Sequence, residues 1–199
     1  EAGKVVIDLG FSNYYRTSKD LRFKEGAIIE VMPAFPGGGS APSDKIRLLP
    51  ESSATEALAD KRGASPESLL YTYRASVVRV LDGDTIEVVV DLGFGVRSVQ
   101  TLRLRGIDCP ELVSKEGQEA KEFVESVIAT LLLSCDSKTQ GKQSVLIKTS
   151  KSDKYDRYLA DVFVPSSSLR APEGQSNPED YLYLNNELLE KGHAVRVSE

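Results

Sequence analysis

Ala75-Ser-Val-Val-Arg-Val-Leu-Asp-Gly-Asp-Thr-Ile-Glu-Val-Val-Val90 is the stretch that decides the fold. Two β-branched runs, Ala75 to Leu81 and Thr85 to Val90, are separated by Asp82-Gly83-Asp84. Asp-Gly between such runs predicts a hairpin, because both residues tolerate the backbone angles of a tight turn. Leu92-Gly-Phe-Gly95 then turns the chain into a third run, Val96 to Ile107. Side chains alternate across a strand. Val99, Thr101, Arg103 and Arg105 therefore share one face, and Leu102 and Leu104 the other.

Downstream, Glu116 to Leu133 carries Ala120, Phe123, Val124, Val127, Ile128 and Leu131 at helical spacing, with Glu119, Glu122 and Glu125 off that stripe. This predicts an amphipathic helix with a core face and a solvated face. Val145 to Lys148 and Leu159 to Val164 read as two more strands, and Pro165 to Asp180 as a long loop. Asn185 or Asn186 is placed to cap a short helix through Lys191, which Gly192 would stop. Five short strands with a helix after the third predict a mainly β, α+β architecture, a closed five-stranded barrel of the OB type.

Upstream, β-like runs recur at Lys4 to Leu9, Ala27 to Met32 and Lys45 to Leu49. Pro33-Ala-Phe-Pro-Gly-Gly-Gly-Ser-Ala-Pro42 between them reads as a loop or linker. Glu51 to Asp60 suits a short helix. The expected division is residues 1–68, a small β-rich module or extension of unassigned role, and residues 69–199, the barrel domain.

The 199 residues include 25 basic and 30 acidic side chains, a net charge of −5. A sequence-blind, strongly basic nucleic-acid coat is excluded, whereas an enzyme acting on nucleic acid through a local site is not. No apolar run reaches the roughly 18 residues of a membrane helix, so no membrane partner is expected. The first residue is Glu1, not Met, which leaves secretion after leader removal and a cytoplasmic location both open. The two cysteines, Cys109 and Cys135, are too few for a disulfide framework and read as free thiols. The single histidine, His193, argues against a Ser-His-Asp triad and reads as a packing or solvent-facing residue.

Polar residues that a barrel interior would not tolerate unpaired concentrate in three segments: Asp82 to Thr85, Arg103 to Glu111, and Lys154-Tyr-Asp-Arg157. Asp84 follows the tight turn and Asp108 ends a strand. Two carboxylates brought together repel unless a cation or proton lies between them. A hard divalent ion such as calcium would take both, together with a backbone carbonyl and waters. Arg103 and Arg157 add permanent planar cations that match phosphate oxygens. Glu111, stiffened by Pro110, is placed to orient or deprotonate a water. Together these groups suit phosphodiester hydrolysis, in which fixed cations meet the charge that builds on phosphate oxygens.

The same residues carry a resemblance. Val80-Leu-Asp-Gly-Asp-Thr85, Leu102-Arg-Leu-Arg-Gly-Ile-Asp-Cys-Pro-Glu111, Gly117-Gln-Glu-Ala120, Lys154-Tyr-Asp-Arg157 and Leu184-Asn-Asn-Glu-Leu-Leu-Glu-Lys-Gly192 follow in the order and spacing of the staphylococcal (thermo)nuclease family. The segment from Tyr73 to Val197 resembles it throughout. The resemblance implies an OB barrel and a calcium-dependent phosphodiesterase cutting DNA or RNA with little sequence preference, the expected substrate being single-stranded. It assigns Asp84 and Asp108 as calcium-ligating carboxylates, and Cys109 to the position of a backbone-carbonyl ligand. It assigns Arg103 and Arg157 to phosphate binding, Glu111 as general base, and Lys154 and Tyr155 to the substrate's terminal phosphate. Asp82 and Thr85 are supporting residues around Asp84.

Three departures accompany the resemblance. Cys109 replaces a threonine, which keeps the carbonyl and loses a hydroxyl. Ser198 stands where the staphylococcal enzyme places tyrosines against the base. Ser137 to Gln143 and Pro165 to Asp180 look longer. Arg105, on the face of Arg103, receives no catalytic role and is expected to be a structural or surface cation. The competing reading is a non-catalytic OB module gripping single strands or a protein partner, supported by the acidic net charge and the missing tyrosines. A weaker idea gives residues 1–68 the task of docking a partner.

Overall fold

The computed structural model describes residues 6–17, 27–32, 45–48, 70–133, 144–152, 157–165 and 181–197. It divides the chain into two compact units, Glu1–Tyr71 with Asp91–Ser98, and Thr72–Val90 with Val99–Glu199. The expectations for Pro33–Pro42, Glu51–Asp60, Cys135 and the two longer loops lie outside the described residues.

In the first unit, β1 (Val6–Gly10) pairs antiparallel with β2 (Asn13–Arg16). The sequence reading missed β2, because Asn-Tyr-Tyr-Arg has no apolar alternation. The Asp8 carboxylate accepts the Gly10 N–H at 2.8 Å, and Phe11 and Ser12 take φ of 50° and 58° to close the turn. A second pair joins β3 (Ile29–Met32) and β4 (Lys45–Leu48). Residues Asp91–Ser98, the tip of a later hairpin, belong to this unit. There Phe94 stacks on Tyr15 with ring centroids 4.1 Å apart. Gly93 lies so close to Val31 that a Cβ would stand 2.6 Å from its side chain.

The second unit is the barrel. β5 (Thr72–Asp82), β6 (Thr85–Gly93) and β7 (Val96–Leu104) are consecutive neighbours in the sheet. β9 (Val145–Ser152) pairs antiparallel with β5 and with β10 (Tyr158–Pro165), and β10 pairs in parallel with β7. Each of the five strands thus has two neighbours, so the sheet closes on itself as the sequence predicts. Period-two patterning drives the closure: Ile86, Val88, Val90, Leu102, Leu104, Ile147 and Val162 are at most 1 % exposed. Each such side chain contributes about 1.5–3 kcal/mol by leaving water.

The parallel pairing needs a crossover. α1 (Lys115–Leu133) lies on that path, and its Ala120 and Val124 are buried while Glu119, Glu122 and Glu125 are exposed. The third run does not continue unbroken to Ile107. β7 ends at Leu104, Gly106 turns at φ 74°, and β8 (Ile107–Asp108) pairs instead with β12 (Val195–Arg196). After β11 (Tyr181–Tyr183), α2 spans Leu184–Glu190. Here the capping expectation fails. Tyr183 is the N-cap and makes no side-chain cap bond. Asn185 is buried, accepts from Val162 N–H at 3.1 Å, and donates to the carbonyls of Arg105 and Ala160. Its amide satisfies strand ends, which stabilises it more than a cap would, since unpaired buried polar groups are costly. Gly192, at φ 77°, follows the C-cap Lys191 as expected. His193 packs on Phe123 with ring centroids 4.9 Å apart. No helix among the described residues is long and apolar enough to cross a membrane.

Candidate active site

The tight turn between β5 and β6 sets the first carboxylate. Asp82 accepts the N–H of Asp84 at 3.1 Å, a local side-chain turn that aims residue 84 away from solvent. Gly83 is required by packing: a Cβ there would stand 2.8 Å from the Ala120 Cβ and 2.9 Å from the Cys109 Sγ. Asp84 is only 3 % exposed. Its carboxylate accepts from Thr85 Oγ1 at 2.9 Å, from the Cys109 N–H at 3.1 Å and from Arg103 at 3.0–3.2 Å.

Arg103 comes from the last turn of strand before β7 ends. Its Nη2 bridges Asp84 Oδ2, at 3.0 Å, and Asp108 Oδ1. Arg157 reaches the same cluster from the start of β10, its Nη1 lying 3.4 Å from Thr85 Oγ1. The segments around residues 84, 103–109 and 157 therefore converge on one buried carboxylate.

Burial sets the electrostatics. It pushes the Asp84 carboxyl up to about 6, against the Cys109 N–H, Arg103 and Thr85, which all favour its charge. Burial also pulls on Arg103 in the neutral direction, but Asp84, Asp108 and Asp82 together outweigh it and hold the guanidinium above its usual value. The Cys109 thiol is pushed up to about 12 by burial and by the same three carboxylates. Without a bound ion it stays protonated near neutral pH.

The structure places the remaining residues unequally. Glu111 is exposed, and its carboxylate makes no hydrogen bond or ion pair with the cluster among the described residues, although its backbone lies two residues beyond Cys109. Lys154 and Tyr155 lie outside the described residues. Ser114, which the sequence reading passed over, caps α1 by accepting the Gly117 N–H at 2.9 Å. The signal was present, a serine three residues before Gly117 at the start of an amphipathic stretch.

A calcium ion is the group the resemblance implies. No group of three His, Cys, Asp or Glu side chains suited to a metal occurs among the described residues. What does occur is a pair of carboxylates aimed at one point, now bridged by Arg103, and one of the pair is buried and short of positive charge. That donor set suits a hard cation completed by carbonyls and waters, and does not suit a nitrogen- or sulfur-ligated one.

A closed five-strand barrel with its helix between the third and fourth strands defines an OB-type protein, here with an arginine-bridged acidic cluster at the ends of its strands. Residues 101–199 match the family model described as Staphylococcal nuclease homologue, and this half of the chain belongs to that family. A micrococcal nuclease of Shigella flexneri is 32 % identical over 104 residues, covering 52 % of this chain and 48 % of that protein. An uncharacterized endonuclease of Escherichia coli O157:H7 is 35 % identical over 89 residues, 45 % of this chain and 47 % of its own length. Protein MJ1439 of Methanocaldococcus jannaschii, uncharacterized, is 27 % identical over 146 residues, 61 % and 58 % of the two chains. The chain spans about half the length of the curated relatives it matches.

Proposed function

We propose that this chain is a nuclease that hydrolyses phosphodiester bonds of DNA or RNA, single strands first, with calcium as its ion. The observation that carries the reading is the convergence of Arg103, Asp84 and Asp108, with Arg157 reaching Thr85 beside them. Relatives that bear the names nuclease and endonuclease support it.

In this mechanism Arg103 and Arg157 hold the scissile phosphate and stabilise the charge that develops on its oxygens. Arg103 is charged at any working pH, and its fork matches two phosphate oxygens. Binding a phosphate exchanges its carboxylate partners for a substrate anion. Asp84 and Asp108 would hold the calcium ion, which supplies positive charge to the phosphate when bound. Glu111, exposed and without an ion pair among the described residues, orients the attacking water and accepts its proton. Burial of Asp84 keeps the cluster from relaxing when substrate arrives.

The test is release of nucleotides from denatured DNA with calcium and with chelator. Calcium-stimulated release is the expected result; cleavage indifferent to chelator removes the calcium assignment, and no cleavage with calcium removes the enzyme. The binding-module reading draws on one observation, that Arg103 is already engaged by two carboxylates. It predicts oligonucleotide binding without cleavage, surviving Asp84→Ala.

A further inference from the structure

The loop that carries Glu111 is tied to the start of α1 more tightly than a helix cap requires. An N-cap needs only an acceptor for an orphan N–H of the first turn. Ser114 supplies that acceptor to Gly117 at 2.9 Å. The same hydroxyl also gives its hydrogen to the Glu111 carbonyl at 2.9 Å, and the Ser114 N–H donates to that carbonyl at 2.9 Å as well. Two donors from one residue therefore fix one peptide, the peptide of Glu111.

Gly117 completes the seat. It is buried, and a Cβ there would stand 2.1 Å from the Glu111 oxygen and 2.6 Å from the Pro110 oxygen. Only glycine lets the helix start this close to the loop. Gln118 adds a donor to the Leu112 carbonyl at 3.3 Å. The backbone on both sides of the Glu111 side chain is thus held, while the carboxylate itself makes no hydrogen bond or ion pair with a described group. A residue whose tip must find a water, and which has no side-chain partner to aim it, depends on its backbone for position.

We propose that Ser114, seated on Gly117, is a positioning residue that fixes the Glu111 peptide through its hydroxyl hydrogen and so sets where the Glu111 carboxylate stands. The proposal rests on the reading of Glu111 as the group that handles the attacking water. Misplacing a reacting group by an ångström costs on the order of 10²-fold in rate, and loss of one of two restraints costs less.

Ser114→Asp and Ser114→Thr separate positioning from capping. Aspartate caps as well as serine but has no hydrogen to give; threonine keeps both functions. Cleavage of denatured DNA by the full chain is followed with melting temperature as the measure of folding. Ser114→Asp should keep KM and lower kcat by about tenfold, within the cost of an ångström's misplacement, while Ser114→Thr keeps both. In a Glu111→Gln background Ser114→Asp should lower kcat no further, because coupled residues are not additive. Gly117→Ala is the second arm: it leaves the Ser114 hydroxyl in place, displaces the same carbonyl, and should lower kcat in the same way. An active wild type whose Ser114→Asp variant cleaves normally, or loses the same factor without Glu111, overturns the positioning role alone. A wild type that does not cleave removes the reading of Glu111 and this proposal with it.

Discussion

Arg103 and Arg105 stand two residues apart on one face of the chain, each beside a buried aspartate, yet the two clusters are built to different ends. Arg105 forks onto Asp161, with Nε at 3.2 Å and Nη2 at 2.5 Å, and Tyr183 donates its hydroxyl to the same carboxylate at 2.8 Å. One guanidinium meets one carboxylate, and the phenol adds a third donor. Arg103 instead divides its Nη2 between Asp84 and Asp108, and Asp82 lies close enough to raise its pKa further. One guanidinium meets two carboxylates and feels a third. The balanced cluster closes a seam of the barrel; in the other, one guanidinium is set against two carboxylates. Burial alone does not mark a functional acid, since Asp84 and Asp161 are 3 % and 4 % exposed. The ratio of charges around each is what differs between them.

The largest expected effect separates the two arginines. Arg103→Lys keeps the charge and loses the fork, and should lower kcat on the order of 10²-fold, the size of losing one transition-state donor. Arg105→Lys should leave kcat within experimental error. Equal losses in the two variants would break the contrast.

The two aspartates should then respond in opposite senses. Asp161→Asn leaves a fork and a phenol without their anion, and should destabilise the fold by about 1–3 kcal/mol in a denaturant titration, with cleavage retained at low temperature. Asp84→Asn should abolish cleavage with calcium present, and in chelator its melting temperature should not fall below that of the wild type, because burial works against the charge it removes.

A smaller effect is read at high pH. The Tyr183 phenol is pushed up to about 12, by burial first and then by its bond to Asp161. A raised folded-state pKa means that the neutral phenol is favoured in the fold. The stability it brings is complete below its ordinary value of 10 and is lost as pH rises through about 12. Phenolate absorbance should show one tyrosine titrating late, and Tyr183→Phe should remove that late step and cost about 1 kcal/mol at neutral pH.

The barrel was legible in the sequence because its strands alternate and its turns carry Asp-Gly and Gly-Phe-Gly, both local signals. The strand Asn13–Arg16 was not, since polar and aromatic residues there follow no period. The capping role expected of Asn185 was misread for a related reason. An asparagine before a helix fits a cap locally, and only the fold reveals that carbonyls from residues 105 and 160 wait for its amide. Arg105 pairs with an aspartate 56 residues away, and no spacing points to that partner. The convergence of residues 84, 103 and 108 could be expected from the resemblance; the bridging of both aspartates by Arg103 could not, because it depends on where the chain turns at Gly106.

The parallel seam joins Leu102 to Tyr158, Arg103 to Leu159 and Leu104 to Ala160. A ribosome must therefore release the chain past residue 160 before Arg103 is flanked on both sides and Arg157 can approach Thr85. The cluster is thus completed late in synthesis, when the barrel shuts.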